Sequence, residues 1–91
     1  MKRVTVSLQE TTGGNCLKEL IEDAPEMATR GLYVTIEEQE VDEATGKTTT
    51  VVSLETEDEE VDISGFVDAV LAVYRLLGSD VKRLQGVITN E

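Results

Sequence analysis

The sequence predicts an α+β fold in which a small antiparallel β-sheet carries a short and a long helix on one face. The sheet is expected to contain an N-terminal strand and a central hairpin. Two periodicities lead to this prediction, because apolar residues alternate with polar ones in three segments and recur at helical spacing in two others. Composition is the third observation: 40% of the 91 residues are hydrophobic, as in globular proteins. We therefore expect a single domain that spans residues 1–91.

The first strand and the first helix are predicted near the N-terminus. Apolar and polar residues alternate over residues 4–9, which is the pattern of a half-buried strand. A turn that contains two glycines follows at residues 11–15. Apolar residues then recur at helical spacing and predict a short helix over residues 16–23. Pro25 disfavours helical geometry in the residue before it, so we expect the helix to end there.

The central hairpin is predicted from alternating segments at residues 32–36 and 52–54, with a loop at residues 43–47 between them. The loop suits a three-residue turn whose glycine adopts the left-handed conformation. If the first and last residues of this loop pair, Ile36 lies opposite Leu54. The apolar face of the hairpin then continues into carboxylates towards the tip.

The second helix is predicted over residues 63–77, because its apolar residues follow helical spacing and Gly78 is placed as a C-terminal stop. Its apolar surface is too wide to be covered on one side only. Val73 and Leu76 flank the core stripe and are the candidates for an oligomer interface. A short helical turn and then a strand are expected in residues 79–91.

The negative charge is concentrated in the predicted hairpin. The net charge of the chain is −11, and residues 32–62, with one basic and eleven acidic side chains, account for −10 of it. Affinity for nucleic acid comes mainly from Lys and Arg, so direct binding to nucleic acid is not expected. Binding to an anionic membrane surface is not expected either. The partner that this charge favours is a protein with a basic, nucleic-acid-binding surface.

The tip half of the hairpin is predicted to be charged on both faces, with Glu38 and Glu40 on one face and Glu37, Glu55 and Glu57 on the other. We expect this half to project beyond the core as a finger and to enter a basic groove of the partner. The residues predicted to bind the partner are Glu37, Glu38, Glu40, Asp42, Glu43, Glu55, Glu57, Asp58, Glu59 and Glu60. One alternative is that these charges only solvate the hairpin and prevent edge-to-edge aggregation. The other alternative is a structural or assembly subunit that forms a homodimer through the apolar second helix.

Two segments of the chain are rich in acidic residues: Glu37-Glu38-Gln39-Glu40 with Asp42-Glu43, and Glu55-Thr56-Glu57-Asp58-Glu59-Glu60. In size, acidity and lack of catalytic residues, the chain resembles small phage-type inhibitors that mimic nucleic acid, such as anti-restriction and anti-CRISPR proteins. The resemblance implies a non-enzymatic inhibitor that occupies a basic groove of a nucleic-acid-handling protein. It transfers no individual site residue to this chain.

No residue is predicted to be catalytic or to bind a metal or cofactor. Cys16 is the single cysteine and the chain has no histidine, so no cysteine–histidine pair can form. The acidic run at residues 57–62 lacks the ligand spacing of an EF-hand loop and suits the N-terminus of the following helix. Gly13-Gly14 lacks the lysine of a phosphate-binding loop. No signal peptide or membrane-spanning segment is recognised, so a cytoplasmic location is expected.

Overall fold

The computed structural model of this chain describes residues 1–90, with side chains described for residues 1–84. The alternating segments form strands and the segments with helical spacing form helices. In chain order the elements are β1 (Lys2–Thr11), α1 (Asn15–Thr29), β2 (Leu32–Asp42), β3 (Lys47–Thr56), α2 (Ile63–Leu76) and β4 (Lys82–Asn90).

The four strands form one sheet in the order β2-β3-β1-β4, and each neighbouring pair is antiparallel. β1 and β2 are therefore parallel to each other, with β3 between them and α1 as their connection. β3 and β4 are likewise parallel to each other, with β1 between them and α2 as their connection. This is the split β-α-β topology of ferredoxin-like folds. The predicted α+β class is confirmed, but because this topology supports many unrelated functions, the function has to be argued from the surface.

The core lies between the sheet and the two helices. Even-numbered residues of β1 and β3 face the helices, so that Val6 lies opposite Val52 and both are fully buried. The helices contribute Cys16, Leu17, Leu20, Ile63, Val67 and Leu71 to this core. Full burial of a Val or Leu side chain contributes roughly 1.5–3 kcal/mol, which holds both helices on the same face. Odd-numbered residues of β1 and β3 point to the other side of the sheet, which we call the open face.

α1 is longer than the sequence predicts. It runs from Asn15 to Thr29 with Pro25 inside it, so the expected end at residue 23 is wrong. A proline inside a helix removes a hydrogen bond and costs about 3 kcal/mol or more. Met27 packs against the core, and this contact favours continuation of the helix beyond the proline. The helix ends before Gly31, whose φ of 84° is the left-handed conformation typical after a helix C-terminus.

The C-terminal segment forms β4, an edge strand paired with β1. The predicted strand is therefore confirmed, whereas the helical turn expected before it is wrong. The side chain of Ser79 donates a hydrogen bond to Glu10 Oε2 at 2.6 Å. The side chain of Asp80 accepts one from the backbone N–H of Thr11 at 2.9 Å. Both side chains tie an extended connection to the end of β1.

The hairpin strands pair in a different register from the predicted one. Ile36 lies opposite Val52, so its predicted pairing with Leu54 is wrong. Two features cause the difference. The loop between the strands contains four residues, and its glycine has a φ of 69°, the left-handed conformation that was predicted. In addition, the register shifts within β2 at Glu37, which is the extra residue of a β-bulge.

Candidate acidic interaction surface

The β-bulge at Glu37 decides which face of the sheet the carboxylates of β2 occupy. Before the bulge, Ile36 lies opposite Val52, which points to the helices. Beyond the bulge the pairs are Glu38 with Val51, Glu40 with Thr49 and Asp42 with Lys47. These partners are odd-numbered residues of β3, so the three carboxylates lie on the open face. The predicted position of Glu38 and Glu40 on the apolar face is therefore wrong, because the prediction lacked the extra residue.

Arg3 joins two further carboxylates to this row. Its Nη2 lies 3.4 Å from Glu37 Oε1, and its Nε lies 3.5 Å from Glu55 Oε1. Arg3 and Glu55 are paired across β1 and β3 on the open face. Exposed ion pairs of this kind stabilise a fold by about 0–1 kcal/mol each, so their main effect is to position the two glutamates. The acidic ridge is the name used below for Glu37, Glu38, Glu40, Asp42 and Glu55.

Lys47 is the one basic residue in the segment 32–62, and its hydrogen bonds lead away from the acidic ridge. Its Nζ donates to Thr11 Oγ1 at 3.3 Å and to the carboxylate of Asp80. The hydrogen bond from Lys47, together with those from Thr11, holds the pKa of Asp80 well below its ordinary value of 3.8. Lys47 therefore stabilises a contact between the hairpin, β1 and the connection to β4.

The carboxylates beyond the bulge keep their charge exposed. Among the side chains that the structure describes, Glu38, Glu40 and Asp42 form no ion pair. Asp42 Oδ1 accepts a hydrogen bond from the backbone N–H of Ala44 at 3.0 Å, which shapes the loop. Glu43 lies in this loop and is exposed. The tip half of β2 thus presents three carboxylates that are not ion-paired among the described side chains, since Lys47, which lies opposite Asp42, is paired with Asp80.

The linear charge density of the acidic ridge can be compared with that of a nucleic-acid strand. Side chains on one face of a strand repeat every 6.5–7 Å or so, as for Glu38, Glu40 and Asp42. With Glu37 added at the bulge, the edge carries on the order of one carboxylate per 5 Å of strand. One strand of duplex DNA carries a phosphate about every 3.4 Å along the helix axis. The two linear charge densities are of the same order.

The hairpin does not stand free of the sheet, so the predicted finger is wrong. β1 pairs with β3 along its whole length, from Lys2 opposite Thr56 to Thr11 opposite Lys47. The helix-facing side of the tip is also not acidic, because it carries Gln39, which donates to Thr50 Oγ1 at 3.2 Å. The carboxylates of β2 beyond the bulge therefore lie on the open face of a supported sheet.

The predicted partner-binding residues fall into two groups. The acidic ridge and Glu43 extend from β3 to the hairpin tip. Glu57 and the exposed residues Asp58, Glu59 and Glu60 follow β3 at its other end. With about 3.3 Å per residue, the length of β3 puts roughly 30 Å between this second group and the tip. Glu59 is paired with the N-terminal amine at 3.2 Å, and Asp58 accepts from the backbone N–H of Glu60 at 2.9 Å.

The candidate oligomer residues lie at the exposed C-terminal end of α2. Val73 is 53% exposed and Leu76 is 87% exposed. Leu77, which the sequence analysis did not select, is 71% exposed next to them. Helical spacing predicts that Leu77 belongs to the core stripe of the second helix; this is wrong, because α2 ends at Leu76 and Leu77 is its exposed C-cap residue. We call these three residues the α2 patch.

A buried carboxylate at the start of α1 was missed by the sequence analysis. Glu10 of β1 is 2% exposed and accepts hydrogen bonds from the backbone N–H groups of Cys16 at 3.0 Å and Leu17 at 3.3 Å. It thereby caps α1, whose own N-cap residue is Gly14 and provides no side-chain cap. Burial, and then the charge of Glu10, raises the pKa of the Cys16 thiol to about 11, with a partial offset from Arg75. The thiol is therefore protonated at neutral pH and packs as an apolar residue.

The chain matches no protein-family model and no curated protein sequence. Within the described residues, no group of three or more His, Cys, Asp or Glu side chains is arranged to hold a metal ion. The helices in the described part of the chain are too short or too polar to cross a membrane.

Proposed function

We propose that this protein is a non-enzymatic binding module that inhibits a nucleic-acid-handling protein by occupying its basic groove with the acidic ridge. The observation that carries the proposal is the bulge at Glu37, because it sorts the carboxylates of β2 onto the open face. A row of like charges on one uncovered face attracts a basic surface from a distance and orients the approach.

The rigidity of the acidic ridge supports the proposal. β2 is paired with β3 through the length of the hairpin, and β3 is paired with β1 on its other side. The backbone beneath the carboxylates is therefore already ordered before a partner binds. Binding then requires the ordering of side chains only, which lowers its entropic cost relative to that of a flexible acidic tail.

A capture experiment with a competitor tests the proposal. The immobilised chain is exposed to an extract of its native host at low salt, with and without excess duplex DNA. A protein that holds the acidic ridge in its nucleic-acid groove should bind at low salt, be released by high salt and be displaced by DNA. The purified partner should then bind DNA at least about tenfold more weakly in the presence of this chain.

Two variants with the same net charge provide the matched comparison. The ridge variant combines E37Q, E38Q, E40Q and D42N. The control variant combines E19Q, E22Q, D23N and E26Q, which removes the same number of carboxylates from α1. Loss of competition in the ridge variant alone is the expected result. Equal competition by both variants would overturn the proposal. Aggregation of the ridge variant, with no DNA-displaceable partner for any form, would favour the purely solvating role of the charge.

The α2 patch supports a second candidate function, that of an assembly subunit. Leu76, Leu77 and Val73 are more exposed than large aliphatic residues usually are. Leu76 and Leu77 follow Val73 by three and four residues, which is the spacing of neighbours on a helix surface. If they form a homodimer interface, sedimentation equilibrium should show a dimer that L76K dissociates. A monomer at high protein concentration would contradict this candidate.

A further inference from the structure

β2 is an edge strand of unusual length and exposure. It has 11 residues and pairs with β3 on one side only. Residues 35–45, which include its tip half, are all exposed. In the part of the chain that the structure describes, the backbone N–H and C=O groups on its outer side therefore lack a neighbouring strand. Such an edge is a template on which a further strand can add.

The charge of this edge selects among strands that might add to it. A second copy of β2 would place its carboxylates beside Glu38, Glu40 and Asp42, and like charges on neighbouring strands destabilise pairing. Proteins protect exposed edges with proline, with short strands or with charge. β2 contains no proline, and a strand of 11 residues is not short. The negative charge of β2 thus opposes pairing with a second copy of β2. A strand with basic side chains would instead be attracted to these carboxylates.

We infer that the outer edge of β2, beyond the bulge, pairs with an extended lysine- or arginine-rich segment of the partner. In such a segment every second side chain lies on the open face beside Glu38, Glu40 or Asp42. The residues between them lie beside Gln39 and Val41, where small polar or β-branched side chains fit. The expected ligand is therefore a strand with basic residues at alternate positions. The basic character of the partner in this inference rests on the proposed function. The inference adds that the partner contacts β2 through main-chain hydrogen bonds.

Two synthetic peptides test main-chain pairing without altering the protein. The first alternates lysine with threonine. The second has the same sequence and charge, but every backbone nitrogen is methylated, so that neither edge of the peptide can donate hydrogen bonds. Titration calorimetry and amide hydrogen exchange by NMR are carried out on the full chain at low salt. The first peptide is expected to bind at least about tenfold more tightly than the second and to slow amide exchange in the tip half of β2.

Charge variants complete the test. E38Q, E40Q and D42N together should abolish binding of the first peptide, whereas E22Q, D23N and E26Q on α1 should leave it unchanged. Three results would overturn the inference: equal affinity for both peptides, protection of β4 amides in place of β2 amides, or undiminished binding by the β2 variant. Equal affinity for the two peptides would not contradict the proposed function, because attraction between charges alone is enough for the acidic ridge to occupy a basic groove. The DNA competition experiment tests that proposal separately. The two failures are therefore distinguishable.

Discussion

β2 and β3 belong to one hairpin, yet β3 lies in the interior of the sheet and β2 lies on the surface. Thr48, Thr50 and Thr56 of β3 are buried although they are polar. On β2, Ile36 and Val41 are exposed although they are apolar. The difference follows from strand order, since β3 has a neighbour on both sides and β2 has only one. Position in the sheet, more than local hydropathy, determines which strand is available to a partner.

The largest expected loss of stability comes from a substitution in the interior strand β3. L54A should lower the free energy of unfolding by about 2–5 kcal/mol, because Leu54 is 2% exposed and its removal leaves a cavity. V41A on β2 should change it by less than about 0.5 kcal/mol, because Val41 is 53% exposed. Urea denaturation followed by circular dichroism measures both values. Equal losses would mean that the two strands do not differ in burial.

A smaller effect is expected from the buried carboxylate on β1. E10A leaves two backbone N–H groups at the start of α1 without an acceptor, and should cost about 1–3 kcal/mol of unfolding free energy. E10Q retains an acceptor oxygen and should cost less. E40A on the edge strand should change stability by less than about 0.5 kcal/mol. The same denaturation experiment applies, and an E10A protein as stable as the wild type would exclude the capping role.

The smallest effect concerns the exposed contact of Asp80 with Lys47 and Thr11, which ties β1 and β3 to the connection before β4. The pKa of Asp80 is lower in the folded chain than its ordinary value of 3.8. This contact therefore contributes stability above about pH 4 and loses it as the pH falls through the folded-state pKa. In the D80N variant, the free energy of unfolding should fall less on acidification than in the wild type. K47M should also make this fall smaller. Denaturation midpoints over a pH series give the slopes, and an unchanged slope in D80N would refute the assignment.

The fold class and the location of the charge were predictable from the sequence, but the face that carries the charge was not. Strict alternation and helical spacing are strong signals, and they identified the strands and α2. A β-bulge adds a single residue, and at this position Glu37 and Glu38 are identical in type. Neither position carries an apolar residue that would mark the change of face. Likewise, the contact of Met27 that extends α1 past Pro25 is a tertiary contact, which local propensity does not contain.

The account depends most on the register of β2 beyond the bulge, which cross-strand nuclear Overhauser contacts measure directly. The expected contacts join Glu38 with Val51 and Glu40 with Thr49, which places both carboxylates on the open face. Contacts of these two glutamates with the even-numbered residues Thr48, Thr50 or Val52 would turn them towards the helices. In that case the carboxylates would not share one face of the sheet, which would contradict the proposed mode of binding.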